Sequence, residues 1–170
     1  MTVLRKIIEY VPAEKRDQAF AAAGGAALLT GQKLTALALF GRGVYGLEKQ
    51  WRAKHPEFTG DFNDRWRAAT SFYEQTHQDP TNRALHMAGI PLILGGAIGL
   101  LAMPRYSPPW MLSAGAFVGG WALNLVGHSK YEKNAPAFAD DPLSFVAGPV
   151  WDVQQAMKIV RKRVARQATA

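Results

Sequence analysis

The sequence predicts an all-α protein: a membrane-associated helical bundle with at least one hydrophobic helical hairpin and a basic amphipathic C-terminal helix. Three observations predict it. No stretch alternates apolar and polar residues between turn signals, as a half-buried strand would. Ala-, Leu- and Gly-rich runs with apolar residues at i, i+3 and i+4 recur along the chain. Two of these runs, AGIPLILGGAIGLLAM and WMLSAGAFVGGWALNLVG, contain no charged residue. The second, at 18 residues, is long enough to be a transmembrane candidate.

With 170 residues the chain reads as a single domain, 1–170, able to bury a core. Its 20 Lys+Arg against 13 Asp+Glu give a net charge of +7, which suits an anionic membrane surface or a nucleic acid. The absence of cysteine excludes disulfides, thiolate metal sites and cysteine nucleophiles. The opening MTVLRKIIEYVPAEKRDQAF lacks a sustained apolar core, so no cleavable signal peptide is expected.

Residues 17–47 read as an N-terminal helical hairpin, AFAAAGGAALL and LTALALFGRGVYGL around the turn Thr30-Gly31-Gln32-Lys33. Each arm of about 13 residues makes only ~20 Å of helix, short of a bilayer core. A polar stretch, Glu48 to Asp61, follows. Asp61 or Asn63 then caps a helix ending near Thr76, with an apolar stripe of Phe62, Trp66, Ala69 and Tyr73 that His77 continues. Asp79-Pro80 reads as an N-cap followed by proline at the first helical position. The helix it opens becomes apolar after His86, contains Pro91 and stops before Pro104. After the turn PRYSPP, the return helix completes a hairpin rich in small residues, which permit close helix contact.

Charge placement favours a membrane. Six Lys/Arg lie in 48–83 and seven in 130–170, but only Arg105 in the turn at 104–108. The positive-inside rule puts the polar middle and C-terminal part on the cytoplasmic side of a bacterial inner membrane, or of the endoplasmic reticulum in a eukaryote. The last helix, 151–166, sets Val153, Met157, Val160 and Val164 on one side and Lys158, Arg161, Lys162, Arg163 and Arg166 around the rest. It is suited to lie on anionic lipid. No nucleic-acid reading module accompanies the charge, and no nucleic-acid partner is expected.

Four residues carry the chemistry. His77 and His86 flank the Asp-Pro break; His128 and Glu132 are one turn apart near the end of the return helix, on a face shared with Asn124. Antiparallel packing sets His86 and His128 at similar depth, and the short turn returns His77 toward them. Facing helices of a bundle build metal sites in this way. Imidazole and carboxylate suit Fe(II), Zn(II), Cu(II) or Mn(II). Asn82 is a candidate to orient His86. The plain structural reading is that these histidines bond at helix ends; Tyr73 and Tyr131 read as interfacial packing, His55 as exposed, and Trp66, Trp110, Trp121 and Trp151 as core or interfacial aromatics.

The segments HQDPTNRALHMAGIPL and GWALNLVGHSKYEKNAPAF, followed by DPLSFVAGPVWD, resemble the family of small membrane proteins related to the yeast 2-hydroxy fatty acid dioxygenase. The resemblance spans residues 66–152, within a core segment taken as 62–152. It implies an Fe(II)-dependent dioxygenase that uses O2 to shorten 2-hydroxy fatty acids by one carbon, with membrane lipids around it. It also implies His77, His86 and His128 as iron ligands, with Glu132 a ligand or the orienter of one, and Glu132 and Asn82 in the catalytic set. Lys130, Lys133 or Arg83 are candidates to meet a substrate carboxylate, set against ordinary snorkelling of their side chains at the interface. The competing readings are a non-catalytic membrane protein that binds lipid or acts as a scaffold, and a zinc-dependent lipid hydrolase.

Overall fold

The computed structural model describes residues 3–168, and it is helical throughout with no strand among the described residues. The helices are α1 (Val3–Tyr10), α2 (Arg16–Leu29), α3 (Lys33–Lys54), α4 (Phe62–Thr76), α5 (Pro80–Ala102), α6 (Pro108–Val126) and α7 (Ser144–Ala168). A π-helical turn, Gly127–Glu132, prolongs α6.

The caps follow from the sequence. Asp61 and Asp64 form a reciprocal capping box at the start of α4. The Asp79 carboxylate accepts from the amides of Thr81 and Asn82 ahead of Pro80, and Ser107 caps α6 before a proline pair. Gly31 closes the α2–α3 turn at φ +74°, a left-handed conformation that a side chain would strain.

Three expectations are corrected. Helix α3 runs through Glu48 to Lys54, because Glu, Lys, Gln and Arg are good helix formers and Glu48 pairs with Arg52 one turn on. The last helix begins at Ser144 rather than 151 and carries Pro149 within it. The buried stripe of α4 is rotated: Phe62 is exposed, and Arg65, 1 % exposed, occupies the core side with Ala69 and Tyr73. Burial opposes the Arg65 charge, but two bonds to Asp141 (2.9 and 2.6 Å) and contacts to Glu48 more than offset that, raising its pKa, and the Trp51 ring lies 3.6 Å beneath the guanidinium.

Helices α5 and α6 form the most extensive helix contact, and α2 and α3 the next. Glycine makes the first possible: a Cβ on Gly96 or Gly120 would collide with the backbone of the facing helix. The two hairpins point their tips the same way. Lys33 donates to the Met103 carbonyl at 2.7 Å, and Gly31 abuts Arg105. A cluster of Phe20, Leu28, Leu39, Leu100 and Trp110 fills the space between them. The first hairpin therefore packs with the tip of the second, at the end remote from the histidines.

Pro80–Ala102 and Pro108–Glu132 are each long and apolar enough to cross a membrane. Only 33 % and 22 % of their apolar windows are buried, and Ile98, Leu112 and Val118 face outward. The core helix of a soluble bundle would be mostly covered. Val153, Met157, Val160 and Val164 on α7 are exposed as well, with Lys158 and Arg161 exposed on the same helix. The side chains of Lys162 and Arg163 lie outside the described residues.

Candidate metal centre

His77, His86 and His128 converge from three elements. His77 is the residue that ends α4, His86 lies two turns into α5, and His128 opens the π-helical turn. All three are buried, and their candidate ligand nitrogens lie within 4.8 Å of one another. The rings stand nearly edge to face, with centroids 4.7 to 4.9 Å apart.

Each ring is held by its Nδ1. His77 Nδ1 lies 2.8 Å from the Tyr73 carbonyl, and His86 Nδ1 lies 3.0 Å from the Asn82 carbonyl. His128 Nδ1 lies 2.7 Å from Asn134 Oδ1. The Asn134 amide is oriented by its own Nδ2, which donates to the Thr76 carbonyl at 2.9 Å. A carbonyl oxygen can only accept, so each Nδ1 carries the proton and each Nε2 keeps its lone pair. His77 Nε2 is buried without any hydrogen-bond partner. An orphaned acceptor of that kind in a native interior calls for an explanation, and a metal ion supplies one. Burial, reinforced by the neighbouring His86, lowers the His77 pKa to about 3, so its imidazole is neutral at physiological pH, the form a metal requires.

Glu132 stands apart from the converging nitrogens. Its carboxylate accepts from the amides of Gln78 (2.8 Å) and Asp79 (3.0 Å) and from Asn82 Nδ2 (3.0 Å). It clamps the α4–α5 turn that carries His77 toward His86. Asn82 does position His86, but through its backbone carbonyl; its side chain donates to Glu132 and lies against Gly127, where a Cβ would collide with it. Lys130 and Lys133 are exposed, and the Arg83 guanidinium sits 4.5 Å over the Trp151 ring.

Two neighbours are tied to the histidines in ways the sequence does not show, and Tyr73, read there as interfacial packing, is one. Tyr73 is buried, stacked on His77 with centroids 3.8 Å apart, and donates its hydroxyl to Asp152 at 2.8 Å. Burial raises the Asp152 pKa to about 6 and raises that of Tyr73 as well. Asn134 is the other. A polar asparagine in a loop is ordinary, and only its contact with His128 distinguishes it.

An apolar cleft, open to the outside, begins at His86 and His128. Ile90, Ile93, Leu94 and Leu125 line the groove between α5 and α6, and Phe138 and Phe145 cover it. A site lined by hydrocarbon with a few polar groups at one end suits an amphiphile whose head meets the histidines.

Fold and site together define a helical protein with a buried three-histidine centre at one end of an apolar hairpin. Residues 64–160 match the family model described as 2-hydroxy-palmitic acid dioxygenase Mpo1-like, and the chain belongs to that family. No curated protein and no solved structure matches it.

Proposed function

We propose that this protein is a membrane-embedded, Fe(II)-dependent dioxygenase that converts 2-hydroxy fatty acids to products one carbon shorter. The observation that carries the reading is the convergence of three Nε2 lone pairs, each fixed by an Nδ1 bond, at the head of an apolar cleft. Family membership supports the reaction class.

His77, His86 and His128 are the ligands in this reading. When bound, Fe(II) supplies open coordination positions and the redox chemistry that couples O2 to the oxidation of a 2-hydroxy acid. The chain's own residues hold and orient. Tyr73, Asn82 and Asn134 lock the three imidazoles in their ligating tautomer, and such partners raise ligand basicity. Glu132 holds the turn that brings His77 into place. The cleft takes the alkyl tail and keeps water from it. The donor set also accepts zinc, so the metal itself is part of the test.

The outward apolar faces of α5 and α6 and the exposed apolar stripe of α7 support insertion in a membrane. Arg52, Lys54, Arg67, Arg83, Lys130 and Lys133 belong to the segments at the histidine end, against Lys33 and Arg105 at the tips, which supports a cytoplasm-facing site.

The test is oxygen uptake by detergent-purified, Fe(II)-loaded protein on addition of 2-hydroxypalmitate, with product analysis and His128→Ala as control. Uptake with a one-carbon-shorter product, lost in the variant, is the expected result. Iron-loaded protein that consumes no oxygen would remove this substrate, and zinc with oxygen-independent ester hydrolysis would favour the hydrolase.

A further inference from the structure

The apolar cleft beside the histidines has a far end, and helix geometry gives its depth. On α5 its lining runs from His86 to Leu94, and on α6 from His128 back to Trp121. At 1.5 Å per residue those walls measure about 12 Å and about 10 Å. At the level of Trp121 the Phe145 ring stacks on the indole, with centroids 6.2 Å apart and planes 16° from parallel. Phe145 is backed in turn by Phe138 at 5.3 Å and Phe40 at 5.7 Å. Phe145 comes from the first turn of α7 and Phe40 from the middle of α3, so separate parts of the chain meet where the groove stops.

We propose that the stacked pair Trp121–Phe145 is the chain-length stop of the acyl pocket. The inference rests on the reading of the histidines as the end that holds the acid's head group. With carbon–carbon bonds near 1.5 Å, an extended alkyl chain advances about 1.25 Å per carbon, so the cleft takes about nine or ten carbons. A longer chain meets the aromatic wall and turns out past Leu94 and Leu125, whose side chains are 42 % and 51 % exposed at the rim. Within the cleft each added methylene tightens binding roughly fourfold. Past the wall that gain stops.

The test is displacement of a fluorescent fatty acid from the full-length, metal-loaded protein, kept anaerobic, by saturated acids of increasing length and by their 2-hydroxy counterparts. Partition of free acid into detergent cancels when variant and wild type are compared at each length. Phe145→Ala should match wild type for short acids and bind acids longer than about ten carbons on the order of tenfold more tightly. Ile90→Trp, placed one turn above His86, should act oppositely and weaken acids longer than about five carbons. This second variant keeps the proposal falsifiable should Phe145→Ala fold poorly. A break at the same length in wild type and both variants would overturn it, as would a uniform loss at all lengths. The plain acids separate this failure from that of the proposed function. Equal binding of plain and 2-hydroxy acids with the break retained would count against recognition of the 2-hydroxyl, and so against the proposed substrate, and leave the stop standing with the carboxylate as the head. A 2-hydroxy preference without a break would remove the stop alone.

Discussion

Asn134→Ala should lower metal affinity by about 10- to 100-fold while leaving the apo protein folded. The magnitude follows from how each histidine is held. His77 and His86 bond to carbonyls of their own helices, four residues back, so no side-chain substitution removes those acceptors. His128 depends on a side chain, Asn134 Oδ1, at 2.7 Å. Truncation frees the ring to rotate and to move its proton to Nε2, where it blocks the lone pair. It also leaves the Thr76 carbonyl without its Nδ2 donor. Loss of that partly buried bond costs about 1 kcal/mol of folding stability, small beside the expected loss of 1.4–2.7 kcal/mol in binding. Asn134→Asp retains an acceptor for Nδ1 and should recover most of the affinity. The assay is anaerobic Fe(II) or Co(II) titration against a chelator of known affinity, with His128→Ala marking complete loss. An Asn134→Ala affinity within twofold of wild type would refute the tautomer argument.

Three further outcomes are expected. Glu132→Gln turns one of two acceptor oxygens into a donor facing the amides of Gln78 and Asp79 or Asn82; it should lower the melting temperature of metal-free protein, whereas a residue acting only as a ligand would leave that temperature unchanged. Asp141→Ala strands the Arg65 charge, which keeps Glu48 and Trp51, so a loss near 3 kcal/mol, at the low end for a broken buried pair, should appear in detergent melting curves. Asp152, raised by burial from 3.8 to about 6, contributes stability that is full below its unfolded value and is lost as pH rises through about 6. The melting temperature of wild type relative to Asp152→Asn, which keeps an acceptor for Tyr73, should therefore fall between about pH 4 and about pH 7; a constant difference would contradict the shift.

Much of this architecture is legible in the residues because it is local. Asp61, Asp79-Pro80 and Ser107 cap the helices that follow them, and the charge-free runs become α5 and α6. The three histidines are found from sequence for the same reason: each sits at a helix end or within two turns of one, where a short turn brings neighbours together. What escapes is decided by tertiary contact. Arg65 is buried because Asp141, 76 residues later, and Trp51 enclose it, and no pattern local to α4 announces either partner. Asp152 and Tyr73 are 79 residues apart. Glu132 shares a helical face with His128 in the sequence, and only the fold shows that its carboxylate accepts from the amides of Gln78 and Asp79.

The π-helical turn has a part in the assembly of the site. At the end of Gly127–Glu132, the Glu132 carboxylate supplies the acceptor for the amides of Gln78 and Asp79 at the turn between α4 and α5. Lys133, left-handed at φ 55°, then turns the chain, and Asn134 reaches back to both Thr76 and His128. One short irregular segment thus orients one candidate ligand directly and a second through the turn that precedes α5. Gly127 contributes by omission, since a Cβ there would displace the Asn82 side chain that Glu132 holds. Through these bonds the segment that follows α6 ties together the end of α4, the start of α5 and the ring of His128.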